Sequence, residues 1–299
     1  MAAPTRPSAR RQTSSRAWPL GQPVRSGRHP RGAALVALFG FVLTVKTSYA
    51  VVLGSPAAAT EFPATGALIV FDGKGPRLSC TGTLIAPDVV LTAAHCMVFL
   101  GRRLPGFVLE PRVTAATPET TDPASRVVIH PEFVVQADSG APLHDLALVL
   151  LSKPLRGVAP EKLLSKSESA HIAAGDAVDL VGYGWMSRAT PVDGTKNRGR
   201  SKVVETRSAE WVIGAPTGAQ NCDGDSGGPA FVNIRGKRRL MGIASRSFDE
   251  KAACVSGTIH VRPDAESIWI AATLRSFHRP PEFPPASHGV ARRTVTAGR

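Results

Sequence analysis

From Gly66 to Val261 the apolar residues fall in short runs separated by Gly, Pro, Asp and Ser, and this punctuation limits the fold more than any other feature. The runs are 67–71, 83–85, 89–92, 126–129, 146–151, 177–181, 202–206, 211–213, 229–234, 240–244 and 258–261. They are rich in Val, Ile and Leu and bounded by turn formers, so the chain is expected to be all-β. No long amphipathic pattern interrupts them before Pro263. Residues 264–277 then read as a helix, with Ile268, Ala271, Ala272 and Arg275 on one stripe and Trp269 beside it.

A chain of 299 residues is long enough for one large or two modest domains. Its net charge of +13 would suit a polyanion, but the charge sits at the ends. Arg6, Arg10, Arg11, Arg16, Arg25, Arg28, Arg31 and Lys46, with no acid, give residues 1–60 a charge of +8. Arg279, Arg292, Arg293 and Arg299 against Glu282 give residues 276–299 a charge of +3, which leaves +2 on the body. A nearly neutral body offers no footprint for nucleic acid, and none is expected as a partner.

The first 50 residues read as targeting rather than fold. A basic, Pro- and Ser-rich lead precedes an apolar run, 33–45, broken only by Gly40. Ser48 and Ala50 are small residues placed for signal-peptidase cleavage after Ala50, so 1–50 is a basic lead and signal peptide and the body is secreted, periplasmic or extracellular. Extended to Leu53, the run approaches the roughly 20 apolar residues of a membrane span, and an uncleaved anchor over 33–53 is the alternative. The length of the lead also fits an early start codon, an organellar transit sequence or a twin-arginine signal at Arg10-Arg11. Residues 278–299, with Pro280, Pro281, Pro284 and Pro285 and no apolar periodicity, read as a disordered basic tail. Four cysteines, an even number, fit an exported chain and leave three pairings open.

Three segments carry chemistry. Cys222-Asp223-Gly224-Asp225-Ser226-Gly227-Gly228-Pro229 sets a serine on a tight loop where backbone N–H groups can converge. A hydroxyl is a weak nucleophile at neutral pH and needs a base within reach, itself oriented by a carboxylate. Leu91-Thr92-Ala93-Ala94-His95-Cys96 offers the base, and His144-Asp145, opening the apolar run 146–151, offers the carboxylate. Singly, these are a turn, a histidine beside a cysteine and a charge at a strand edge. Together, in the order His95, Asp145, Ser226 and 50 and 81 residues apart, they form a candidate catalytic set. His130, His144, His171 and His260 lie in no comparable motif and read as structural. No metal-ligand spacing, phosphate loop or dinucleotide fingerprint is present, so neither metal nor cofactor is expected.

In motif order the chain resembles the chymotrypsin/trypsin-like serine proteases, the S1 peptidase family of the PA clan. Cys80 to Ile85, Ile129 to Phe133, Val181-Gly182-Tyr183-Gly184 and Met241 to Ser245 are similar to segments of that family, and the likeness spans residues 51–277. The resemblance implies two six-stranded Greek-key β-barrels, about 51–160 and 161–262, with the active site between them and a terminal helix at 263–277. It implies a serine endopeptidase acting on proteins or peptides as a monomer through an acyl-enzyme. Gly224 and Ser226 N–H would form the oxyanion hole, and Ser245 would support Asp145. The implied disulfides are Cys80 with Cys96 and Cys222 with Cys254. The specificity pocket would involve Gln220 at its floor, where an aspartate would select Lys or Arg, with Ser245 to Ser247 and Gly257 as walls and Arg246 in place of a tryptophan. In the family a freshly cut N-terminus pairs with the aspartate before the nucleophile, here Asp225. Val51-Val52-Leu53-Gly54 resembles that terminus and directly follows the proposed signal cut. A protease-like fold used as a catalytically silent binding module is the rival reading.

Overall fold

The structure, a computed structural model, describes residues 51–101, 103–134, 144–184, 194–214 and 218–278. The lead and signal segment, and the tail beyond His278, lie outside them. The strands are β1 (Ser55–Pro56), β2 (Thr65–Asp72), β3 (Gly75–Ala86), β4 (Val89–Thr92), β5 (Gly106–Val108), β6 (Asp122–Ile129) and β7 (Ala147–Leu151), followed by β8 (Ala177–Gly182), β9 (Asn197–Thr206), β10 (Glu210–Ile213), β11 (Pro229–Ile234), β12 (Lys237–Ser247) and β13 (Thr258–Val261). All paired strands are antiparallel and they close two six-stranded barrels: β2-β3-β4-β7-β6-β5, and β8-β9-β10-β13-β12-β11 back to β8. Closure removes the unpaired edges that an open sheet of such apolar strands would present.

The shortest apolar strands lie deepest. Every residue of β4 is buried, as is all of β7 but Leu150, as expected where a strand packs on both faces. Leu68, Leu84, Leu91 and Leu148 fill the first barrel, and Val178, Leu180, Trp211 and Met241 the second. Trp211 satisfies its indole N–H on the Met241 carbonyl at 2.9 Å, and the Arg262 guanidinium lies 4.2 Å from its ring centroid.

Three features differ from the sequence reading. Residues 51–57 lie along the second barrel rather than the first: Ser55 pairs with Arg198 of β9, and Val51 belongs to the second core. Two short helices precede Pro263, α1 (Ala94–Leu100) and α2 (Lys166–Ser169), the latter started by a Ser165/Glu168 capping box. The terminal helix α3 (Ser267–Phe277) buries Ile270 and Thr273 and packs Trp269, Leu274 and Phe277, while Ile268 is 78% exposed. Both stripes are regular at helical spacing. The one with two aromatic rings removes more apolar surface from water and faces the core. Among the described residues no helix is long and apolar enough to cross a membrane.

Candidate active site

β4 runs from the first core straight into α1, so His95 stands at the first turn of a helix whose preceding residue, Ala93, supplies no side-chain cap. The cap comes from elsewhere in the chain: Asp145 Oδ1 accepts the His95 backbone N–H at 2.8 Å. Asp145 Oδ2 also accepts from His95 Nδ1 at 2.7 Å and from the Ser245 hydroxyl at 2.6 Å. The carboxyl side chain is 3% exposed, so these three donors replace the water it has lost. An ionised carboxylate only accepts, which places the imidazole proton on Nδ1 and leaves the Nε2 lone pair as a base. Cys80 is disulfide-bonded to Cys96 and thereby ties α1 to β3.

The Ser226 loop is held by backbone bonds. Asp225 N–H donates to Cys222 at 3.0 Å, Gly228 N–H to Asp225 at 2.8 Å, and Gly227 N–H to Ala244 of β12 at 2.7 Å. From the first barrel, Thr81 N–H donates to the Ser226 carbonyl at 2.9 Å, and the Thr81 hydroxyl donates to the Gly224 carbonyl at 3.2 Å. The loop also approaches the β4–α1 junction so closely that a Cβ on Gly227 would lie 2.1 Å from Thr92 Oγ1 and 2.9 Å from Ala93 N. Gly224 has φ 90°, and a Cβ there would lie 2.8 Å from Gly184 Cα, so its N–H takes an orientation that side-chain-bearing residues rarely adopt. Cys222 is bonded to Cys254, which closes the far side of the loop.

Asp225 is fully buried behind this loop. Its Oδ1 accepts Gly184 N–H at 2.8 Å, its Oδ2 accepts Cys222 N–H at 3.0 Å, and it receives a further backbone bond from Val51. Burial pushes its pKa up to about 7; the three N–H groups oppose that rise and the Asp223 charge adds to it. Val51 is itself fully buried, with φ 58°.

Residues 51–262 match the sequence profile of the Trypsin family. The chain belongs to the trypsin family. It is 30% identical over 207 residues to a trypsin of Saccharopolyspora erythraea, covering 65% of this chain and 86% of that one. It is 28% identical over 238 residues to serine protease SP24D of Anopheles gambiae, covering 76% and 82%. Among solved structures it shares its fold with neuropsin, a serine protease expressed in the limbic system of mouse brain, with a TM-score of 0.61 and 22% identity over 75% of this chain and all of that one.

Within this trypsin-family frame a cavity of about 100 Å³ adjoins Ser226. Ser226, Ser245, Arg246 and Ser247 line it, together with Asn221 and Thr258, which the sequence reading did not single out for contact with substrate. Gln220 and Gly257 are not in the lining. The Gln220 side chain is buried beside Gly214, and its backbone N–H bonds the Val52 carbonyl at 3.0 Å. Arg246 is held by Glu210 at 2.7 Å. Its charge is therefore answered outside the cavity.

His130, His144 and Glu266 gather ligand-type atoms within 4.8 Å, yet their geometry suits protons rather than a metal. The two rings stack at 13° and 4.8 Å, so their in-plane lone pairs run side by side instead of converging. His130 Nδ1 accepts the Glu132 backbone N–H, leaving its proton on Nε2 facing Glu266 at 3.2 Å. Cys80, His95 and Cys96 form a second such group, but both sulfurs are consumed in the disulfide.

Proposed function

We propose that this trypsin-family chain is an exported serine endopeptidase working through an acyl-enzyme. The observation that carries the reading is the bonding of Asp145: its Oδ2 accepts from both His95 Nδ1 and the Ser245 hydroxyl, and Ser245 lines the same cavity as Ser226. Ser226 and the serine whose hydroxyl holds Asp145 thus line one cavity, which supports their working with His95 as a set.

Ser226 Oγ attacks the scissile carbonyl as His95 Nε2 takes its proton, and Asp145 stabilises the imidazolium. The carbonyl oxygen gathers negative charge and is met by the N–H groups of Gly224 and Ser226, which need no reorganisation as the charge forms. The C–N bond breaks, His95 returns the proton to the departing amine, and water repeats the sequence to release the acyl group from Ser226.

Maturation follows from the burial of Val51. Its backbone nitrogen already bonds Asp225, so a cut before Val51 would replace a neutral amide with an ammonium at a carboxylate that burial has left underpaired. Signal removal after Ala50 would generate that terminus without a separate cut after Arg or Lys.

Intact mass spectrometry of the exported protein, with and without a fluorophosphonate probe and beside Ser226→Ala, tests both parts. One adduct absent from the variant, on a chain beginning at Val51 or Val52, is expected. An unlabelled chain that begins at Val51 and is folded would overturn the protease reading. A labelled chain beginning near Thr60 would overturn the maturation scheme alone.

A further inference from the structure

His130 reaches the segment around Asp145 from two sides. Asp145 is the centre of a three-residue turn, 144–146, closed by the Leu146 N–H on the His144 carbonyl at 2.7 Å. The Leu146 carbonyl in turn accepts the His130 backbone N–H at 2.9 Å, just beyond the last pair of the β6–β7 ladder, Ile129 with Ala147. On the other side the His130 ring stacks on that of His144 at 13° and 4.8 Å. His144 holds φ 44°, and such a conformation persists only where its surroundings over-determine it. Here they are the His130 ring, Glu266 Oε1 at 2.8 Å and Glu132 Oε2 at 3.4 Å.

The setting of the His130 ring is built for one proton. Glu132 N–H donates to Nδ1 at 3.2 Å, and Nε2 faces Glu266 Oε2 at 3.2 Å. A ring nitrogen that accepts carries no proton and one that faces a carboxylate carries it, so neutral imidazole with its proton on Nε2 meets both partners. The residue is 6% exposed, and the ring of Trp269 closes over it at 4.7 Å and 54°. Among the described residues, the titratable groups that face it are Glu266 at the start of α3, His144 before β7 and Glu132 on its own turn. Burial, the largest influence, holds its pKa below the ordinary histidine value and His144 adds to that, while Glu266 and Glu132 oppose it.

A second proton has only Nδ1 to occupy. There it turns an acceptor into a donor aimed at the Glu132 N–H, so two donors meet and their hydrogen bond is lost. The turn that carries Glu132 is free to give way, because Pro131 and Glu132 are exposed and its remaining closure is the Phe133 N–H on the His130 carbonyl at 3.0 Å. Opening it displaces the ring that supports His144, and with it the turn that aims Asp145 at His95.

Resting on the protease reading, we propose that neutral His130 is a positioning residue for Asp145, and that a second proton on its Nδ1 opens the 130–133 turn and switches off attack by Ser226 in acid. His95 must itself be free of a proton on Nε2 to act as base. Attack then requires two histidines to be neutral, and its rate falls in acid with the second power of the proton concentration rather than the first.

The test is the pH dependence of fluorophosphonate labelling of the mature protein beside His130→Asn. The Asn carbonyl oxygen stands near the place of Nδ1, accepts the Glu132 N–H and does not titrate. Each chain is scaled to its own rate at about pH 8, so a general loss of activity in the variant does not enter, and near-ultraviolet circular dichroism at each pH confines the comparison to folded protein. Below about pH 6.5 the slope of log rate against pH should approach about two in the wild-type chain and stay at about one in the variant, so that the scaled rates part by about 10-fold for each further pH unit. Other groups that titrate are common to both chains and leave this difference untouched. Equal slopes in two folded chains would overturn the proposal and leave the protease reading standing. If the variant does not fold, the wild-type chain decides: a break toward the steeper slope where the His130 ring signals titrate in its NMR spectrum supports the switch. A slope that does not change there overturns it, as does a ring that takes no second proton before the chain unfolds. A folded chain beginning at Val51 that labels at no pH would overturn the protease reading, and this proposal with it.

Discussion

The carboxyl group of Asp225 has lost all contact with water, and the backbone N–H groups of Gly184, Cys222 and Val51 do not make up the difference, which is why its pKa rises from 3.8 to about 7. The folded state then holds this proton more tightly than the unfolded chain does. The stability so gained is complete below about pH 4 and is lost as the pH rises through 7. At 1.36 kcal/mol per pKa unit the loss is on the order of 4 kcal/mol. A chain still extended before Val51 should therefore lose stability between pH 4 and 8 relative to its Asp225→Asn variant. A chain beginning at Val51 should not, because its ammonium pairs with the charged form. Urea unfolding of all three across that range checks it, and equal pH slopes for the two N-termini would mean that the Val51 ammonium does not reach Asp225.

Elements were legible where one stretch of sequence contained its own reason. β4 and β7 are continuous apolar runs between turn formers, and the Ser226 loop announces itself by the crowding of Gly, Asp and Pro. β5, at three residues, and β1, at two, carry too little pattern to read. The seven residues of α1 form a helix partly because Asp145, 50 positions away, accepts the N–H of its first turn. The buried face of α3 was chosen by the core it meets. Asn221 owes its place in the cavity to His260, 39 residues on, a pairing that no local window contains.

The same dependence on distant partners makes α3 more than a lid. Glu266, at its N-terminal boundary, holds His144 Nδ1 at 2.8 Å and His130 Nε2 at 3.2 Å. His144 sits at φ 44°, a strained position for a residue with a side chain, directly before Asp145. Glu266→Gln keeps the shape but turns an acceptor-only group into one that also donates toward a ring N–H. It should cost about 1 to 3 kcal/mol in unfolding free energy and lower kcat more than it raises KM. A stability loss with kcat unchanged would confine Glu266 to holding the helix.

On the scale of the whole molecule, the candidate site is divided between two barrels that must hold register to within tenths of an ångström. His95 and Asp145 belong to the first, and Ser226 and Ser245 to the second. Thr81 of β3 spans the division. Its N–H holds the Ser226 carbonyl, its hydroxyl donates to the Gly224 carbonyl and accepts the Tyr183 N–H at 3.2 Å, and its own carbonyl accepts the Thr92 hydroxyl at 2.8 Å. Thr81→Val preserves the volume and the backbone bonds while removing the hydroxyl. The buried Tyr183 N–H then loses its acceptor, at a cost of about 1 to 3 kcal/mol in unfolding free energy. The peptide joining Gly224 to Asp225 loses an anchor, and through the freely rotating Gly224 Cα the preceding peptide, whose N–H is proposed to meet the reacting oxygen, is held less firmly. Fluorophosphonate labelling of folded Thr81→Val should slow by about 10-fold, with KM for a peptide substrate little changed, since ground-state binding does not use that N–H. If stability falls while labelling per folded molecule keeps its rate, the Thr81 hydroxyl joins the barrels without tuning the chemistry, and the Gly224 N–H is held by its loop alone.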